Sequence, residues 1–324
     1  MKVGVIGTGS MGQNHVRVLS EIADLVGICD SNPEVGSKVA DRYETEFYQN
    51  VDEFLSSGVE AVSIVTPTGV HYEITKKAIA AGVNILLEKP ATGDPVKLKE
   101  LSKLADRANV VLAIGLIERH NPAVSFAMKN LKGGNFGSII SAHARRVSLF
   151  PQRIKDVGVI MDLGIHDIDV IKYLAGSRIR RVFATAGKFK NKDFEDHANI
   201  VMEFESGISG TVEVNWLTPT KVRSLALTCS DQFAELDYIS QSIEIYSTTL
   251  REFDPSNLYD LGLEYQGRTI SLKKEEPLKR ELHDFLKACE SHIPPLVTAL
   301  DAAETIKIAQ AAIESSRTKQ AVEL

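Results

Sequence analysis

Two stretches of this 324-residue chain carry side chains whose types and spacing can do chemistry. The first is Gly7-Thr8-Gly9-Ser10-Met11-Gly12, a GxGxxG pattern followed about 20 residues later by Asp30. Gly7 permits a tight turn, Gly9 lets the backbone approach a pyrophosphate, and Gly12 lets a helix pack closely on a strand. The first helical amides, from Ser10, Met11 and Gly12, then offer N–H groups and partial positive charge to phosphates. A carboxylate at Asp30 accepts hydrogen bonds from ribose hydroxyls and repels a 2′-phosphate. Ser31-Asn32-Pro33 place no arginine beside it, so the expected cofactor is NAD rather than NADP.

The second stretch runs over 159–174. Read as a regular helix, it sets Asp162, His166, Asp169 and Tyr173 within an arc of roughly 60°. Met161, Leu163, Ile165, Ile168, Val170, Ile171 and Leu174 surround them. A mostly apolar helix with one narrow polar stripe points it at water, at other polar groups in the core, or at a ligand. Histidine titrates near neutrality, so a ligand-facing His166 can take the proton of an alcohol, with Asp162 one turn earlier to orient the ring. No His/Cys/Asp/Glu set has zinc spacing, and no metal is expected.

These groups need elements to hold them. KVGVI (2–6), DLVGIC (24–29), EAVSIV (60–65), VNILL (83–87) and VVLAIG (110–115) read as strands, and their continuous apolarity suits a parallel sheet covered on both faces. Helical spacing occupies 11–22, 33–43, 51–57, 70–81 and 94–108, with Pro33 and Pro95 in first turns and Asp94 as a cap. The alternation predicts a doubly wound α/β Rossmann domain over 1–120. After Asn121-Pro122, strands at 138–147, 180–186, 198–204, 209–216, 222–229 and 242–247 mostly follow one another without helices. Together with a helix from about 157 to 175 they predict an α+β domain over 121–299 with a large, mostly antiparallel sheet. Glu205-Ser206-Gly207 reads as a hairpin turn. The segment 300–324 carries an amphipathic helix, 251–277 is the least legible part, and no internal repeat is present.

Hydrophobic residues make up 44% and charged residues 25%, as in a soluble globular protein. A net charge of -6 argues against a sequence-independent nucleic-acid surface. Cys29, Cys229 and Cys289 lie far apart with no CxxC pair, which fits reduced thiols. Strand-like residues begin at Lys2 and no apolar run reaches membrane length, so a cytoplasmic location without membrane association is expected.

Further motifs bring a family into view: Thr66-Pro67-Thr68 with His71, Glu88-Lys89-Pro90, Arg119-His120-Asn121-Pro122, and Asp162-Leu163-Gly164-Ile165-His166 with Asp169. In this order they resemble the glucose-fructose oxidoreductase/inositol dehydrogenase/rhizopine-catabolism (Gfo/Idh/MocA) family over nearly the whole chain. The resemblance implies that Lys89 lies beside the nicotinamide and the reacting hydroxyl, and that Asp162 and His166 form the substrate-side pair with His166 the proton acceptor. It places Thr66, Pro67, His71, Glu88 and Lys89 on the cofactor side, and implies that the final helix returns toward the Rossmann domain. Lys89, at the carboxyl edge of the sheet, can stabilise alkoxide charge or join a proton relay. Whether Lys89 or His166 is the proximal base stays open. Glu88 either holds Lys89 or only ends its strand. One departure is Gly158, a single glycine where many members carry a pair.

The stretch from Arg145 through Asp169 is similar to members acting on nucleotide sugars, particularly the UDP-N-acetylglucosamine 3-dehydrogenases. Arg145, Arg146, Arg153 and Lys155 can hold a diphosphate, or simply be charges on a sheet face and loop; on a strand only one of Arg145 and Arg146 can face a cleft. The expected substrate contacts are Arg119, Arg146, Arg153, Asp162 and His166. Other readings are an inositol or free-aldose dehydrogenase, and a dinucleotide-binding regulator without catalysis, against which the joint presence of Lys89, Asp162 and His166 argues. Val201, Val212, Val214 and Trp216 are candidates for the core or for an open sheet face. Family members pair such faces, which implies a homodimer or homotetramer.

Overall fold

Runs such as Val3-Gly4-Val5-Ile6 and Ile85-Leu86-Leu87 have no polar face to turn to water, and they form the middle of a parallel sheet. The computed structural model describes residues 1–150, 157–250, 256, 259 and 263–324. They divide into two units, Met1–His120 with Glu276–Lys307, and Asn121–Glu275 with Ile308–Leu324.

In the first unit the elements are β1 (Lys2–Ile6), α1 (Ser10–Ile22), β2 (Asp24–Cys29), α2 (Pro33–Arg42), β3 (Glu46–Tyr48), α3 (Val51–Leu55), β4 (Ala61–Ile64), α4 (Thr68–Ala80), β5 (Asn84–Glu88), α5 (Pro95–Ala108) and β6 (Leu112–Gly115), then a 3₁₀ turn, Ile117–His120. The six strands lie in the order β3-β2-β1-β4-β5-β6, all parallel. The order reverses between β1 and β4, and ligands of such sheets bind at the carboxyl ends beside that reversal. Helix starts follow the sequence signals: Asn32 accepts from the Glu34 and Val35 N–H groups ahead of Pro33, and Asp94 accepts from Val96 ahead of Pro95.

The second unit opens with α6 (Pro122–Lys132) and β7 (Ile139–Leu149), followed by a π-helical turn, Ile160–Gly164, that runs into α7 (Ile165–Ala175). Next come β8 (Ile179–Gly187), β9 (His197–Phe204), β10 (Ser209–Asn215), β11 (Leu217–Cys229), β12 (Phe233–Asp237), β13 (Ser242–Leu250) and β14 (Leu263–Ser271). Later in the chain stand α8 (Pro277–Ser291), which belongs to the first unit, α9 (Ala299–Thr318) and β15 (Val322–Glu323). The nine-stranded sheet runs β14-β13-β12-β11-β7-β10-β9-β8-β15 and is antiparallel except between β7 and β10. The π turn and α7 pack on β10, where Val212 and Val214 are buried, and Trp216 just beyond β10 is buried as well. On the opposite face Phe183, Val201, Thr211, His143, Ala226 and Glu235 stand in register across six strands, and Phe183 and Val201 are 39% and 46% exposed. Among the described residues no helix is long and apolar enough to cross a membrane.

The division differs from the expected boundaries at 276–299 and within the final segment, 300–324. Residues 276–299, expected in the second domain, group with the first unit. The cause is α8, which periodicity missed: Leu278, Leu282, Phe285, Leu286 and Cys289 join Val3, Val5, Val16 and Leu19 in one core. Burying side chains of this size stabilises by roughly 1.5–3 kcal/mol each. Helix α9 belongs to the first unit through Lys307 and to the second from Ile308.

Candidate active site

The glycine loop is built as its spacing predicts. Gly7 has φ +96°, and a Cβ there would lie 2.8 Å from the Val65 carbonyl. A Cβ on Gly12 would lie 2.0 Å from the Gly7 oxygen, so both positions exclude a side chain. Gly9 differs: its Cβ direction is open, with no atom within 4 Å. As N-cap of α1 it places no side chain over the first-turn amides. A pyrophosphate fits this open, N–H-bearing cradle. Asp30 braces it, accepting from Thr8 N (2.7 Å), Thr8 Oγ1 (2.6 Å) and Asn32 N (2.8 Å). Burial raises its pKa, but these hydrogen bonds outweigh burial and hold the carboxyl below its ordinary range. A carboxylate accepts about four hydrogen bonds, which leaves capacity for a ribose hydroxyl.

A second cluster stands at the ends of β4 and β5. Glu88 is 7% exposed and accepts from His15 Nε2 (3.0 Å) and from the Lys89 main-chain N–H (2.9 Å). Ser63 Oγ lies 2.7 Å from His15 Nδ1. Glu88 therefore ends its strand and also fixes the backbone of Lys89. Burial opposes its charge, yet His15 and Lys89 hold its pKa below the ordinary value. His15 and Ser63 were not foreseen; the available signal was a histidine on the otherwise apolar face of α1, beside Gly12, Val16 and Leu19. His71 links two loops, with Nε2 2.7 Å from the Thr66 carbonyl and Nδ1 3.1 and 3.3 Å from those of Pro90 and Ala91. Burial pushes the imidazole below its ordinary range. Thr66 Oγ1 is buried without a hydrogen-bond partner in the protein, as suits a group that a cofactor would satisfy. Pro67 follows as the residue before α4.

In the second unit the supposed regular helix begins as a π turn. Asp162 lies within that turn and His166 in the first turn of α7; each is 8% exposed, while Asp169 is 1% exposed. The wider i→i+5 repeat changes the angular spacing between Asp162 and His166, and such turns cluster at functional sites. Glu195 anchors the entry: its carbonyl accepts from Val159 N (2.9 Å) and its Oε1 from Ile160 N (3.2 Å). Burial raises the Glu195 carboxyl above its ordinary range. A Cβ on Gly158 would lie 2.1 Å from that carboxylate, which gives the single glycine a steric reason.

The arginines expected to contact substrate are committed inside the protein. Arg146 is 2% exposed, bonds Asp167 through Nε (2.7 Å) and Nη2 (3.0 Å), and stacks 5.2 Å from the Tyr238 ring centre. Arg119 is 3% exposed, donates to the Leu296 carbonyl (3.2 Å) and lies 3.5 Å from Asp301. Strand alternation sends Arg146 inward, where a carboxylate must neutralise it. Arg145, on the other face, pairs with Glu213 at 2.9 Å. Arg153 and Lys155 lie outside the described residues. Among the described residues no group of three His, Cys, Asp or Glu side chains is placed to hold a metal ion.

Two family models and several known proteins match this chain. A family model described as an oxidoreductase family with an NAD-binding Rossmann fold matches residues 1–116, and the GFO/IDH/MocA C-terminal domain matches 127–247. The chain is 32% identical to a UDP-N-acetylglucosamine 3-dehydrogenase of Acidithiobacillus ferrooxidans, covering 91% of this chain and 90% of that protein. It is 26% identical to scyllo-inositol 2-dehydrogenase (NAD(+)) of Bacillus subtilis, covering 100% and 96%. The solved structure of the Acidithiobacillus enzyme, GnnA, matches with a TM-score of 0.88 at 30% identity over 98% of both chains. With both domain models matched and a relative of this similarity aligned nearly end to end, the chain belongs to the Gfo/Idh/MocA family of NAD-binding oxidoreductases.

Proposed function

We propose that this oxidoreductase converts a secondary hydroxyl of a sugar to a ketone, specifically the 3-hydroxyl of a UDP-linked N-acetylhexosamine or its uronic acid. Bound NAD supplies the hydride acceptor. Gly9 and the first turn of α1 hold its pyrophosphate, and Asp30, Thr66 and His71 serve the ribose side. Lys89 stabilises negative charge on the substrate oxygen, and Asp162 orients His166 for proton transfer. The observation that carries the substrate reading is the 32% identity to a UDP-N-acetylglucosamine 3-dehydrogenase over 91% of the chain.

One observation favours a second reading. Arg146, one of the cations expected at a diphosphate, is buried on Asp167, and Arg119, expected at the substrate, is buried on a carbonyl and Asp301. An uncharged polyol needs neither, so inositols and free aldoses belong in the same assay. The purified protein is incubated with NAD and a panel of UDP-sugars, free sugars and inositols while NADH absorbance is followed. Activity confined to unphosphorylated polyols would overturn the nucleotide-sugar reading.

We further infer that the sheet face carrying Phe183 and Val201 joins copies of this chain into a homodimer or homotetramer. Two large apolar side chains in adjacent strands of one sheet face support this reading.

A further inference from the structure

Helix α8 turns a carboxyl group into the interior of the first unit. Glu281 is 2% exposed, and Leu278, Leu282 and Phe285 of the same helix are core residues. Both Glu281 carboxyl oxygens are buried and have no hydrogen-bond partner. The charges acting on it are all negative: Glu88 from β5, Glu118 from the 3₁₀ turn, and Asp284 one turn along α8. Two cationic groups of this unit have partners other than Glu281. His15 of α1 is bonded to Glu88, and Arg119 engages Leu296 and Asp301. Two neighbouring buried carboxyls cannot both ionise when only one of them has donors. Glu88 has them, in His15 and the Lys89 N–H.

We propose that Glu281 is a positioning residue of the cofactor-side site, held as a neutral carboxylic acid so that Glu88 remains the anion fastening His15 and the Lys89 backbone. Burial and the three surrounding carboxylates hold the Glu281 carboxyl well above its ordinary range, opposite in direction to Glu88. The sign follows. A folded-state pKa raised above the unfolded one gives stability that is complete below the ordinary carboxylate range and is lost as pH rises through the folded value. Once Glu281 ionises, repulsion reaches Glu88 and, through it, Lys89.

Glu281→Gln keeps the shape and cannot ionise. Melting temperature and NADH affinity, the latter by fluorescence, are measured from about pH 5 to about pH 9 for both proteins. Neither readout requires the substrate. The expected result is that the variant gains on the wild type in both quantities as pH rises. A difference that does not change with pH overturns the proposal, as does a variant that already binds NADH more weakly at pH 5. If Glu281→Gln does not fold, Glu281→Leu is read the same way. Wild-type protein adds a direct readout: its infrared spectrum near pH 7 should carry the carbonyl stretch of a protonated carboxylic acid, and absence of that band refutes the neutral state.

Discussion

His166 shows how much a single residue type discloses. A histidine among apolar neighbours suggests proton transfer at the level of residue type, and the structure sets it, 8% exposed, in the first turn of α7. His166→Ala is expected to leave NAD binding intact and to lower turnover by at least about 100-fold, consistent with general-base contributions. Stopped-flow turnover beside NADH titration separates the two, and near-normal turnover removes His166 from the mechanism. Arg146 teaches the opposite lesson, since its charge suggested a ligand and its partner proved to be Asp167. Arg146→Met should destabilise the protein by about 3–5 kcal/mol by stranding that carboxylate, and adding Asp167→Leu should restore most of the loss. Urea denaturation of the single and double variants measures this; equal losses would show that the pair is not the cause.

At the scale of elements, the π turn and α8 are the informative departures. Nothing in Val159-Ile160-Met161-Asp162-Leu163-Gly164 signals an i→i+5 repeat, because an apolar run looks alike in either helix. The turn is instead set by a partner distant in sequence, Glu195, admitted by Gly158. Gly158→Ala should push the Glu195 carboxylate away and break its bond to Ile160 N–H, costing about 1 kcal/mol. A melting temperature lower by about 2–4 °C and a reduced kcat at unchanged NADH affinity are expected. An unaltered kcat would mean that this anchor does not set the position of Asp162. Helix α8 went unread because it follows the least legible stretch, although its apolar residues complete the core of the first unit.

The whole molecule is two units, each with its own sheet and core. The open face of the nine-stranded sheet was legible only in part: Val201, Val212, Val214 and Trp216 were equivalent candidates until pairing register put the last three inside and Val201 outside. Phe183→Lys combined with Val201→Lys is expected to convert the proposed assembly to monomers, with each chain's fold intact by circular dichroism. Light scattering at micromolar concentration checks this, and a wild-type monomer would refute the assembly itself.

The sequence alone determined the local features: the glycine loop, Asp30, the helix caps, the strand–helix alternation and the presence of Lys89, Asp162 and His166. Each depends on a residue's own conformational limits or on neighbours a few positions away, so spacing is sufficient to read it. Tertiary structure decided which charges are neutralised, as at Arg119 and Arg146, which helix joins which core, as at α8, and which carboxyl is left unpartnered, as at Glu281. Those outcomes depend on pairs of groups brought together from distant parts of the chain, where burial and the sign of the nearest charge outweigh any property of the residue itself.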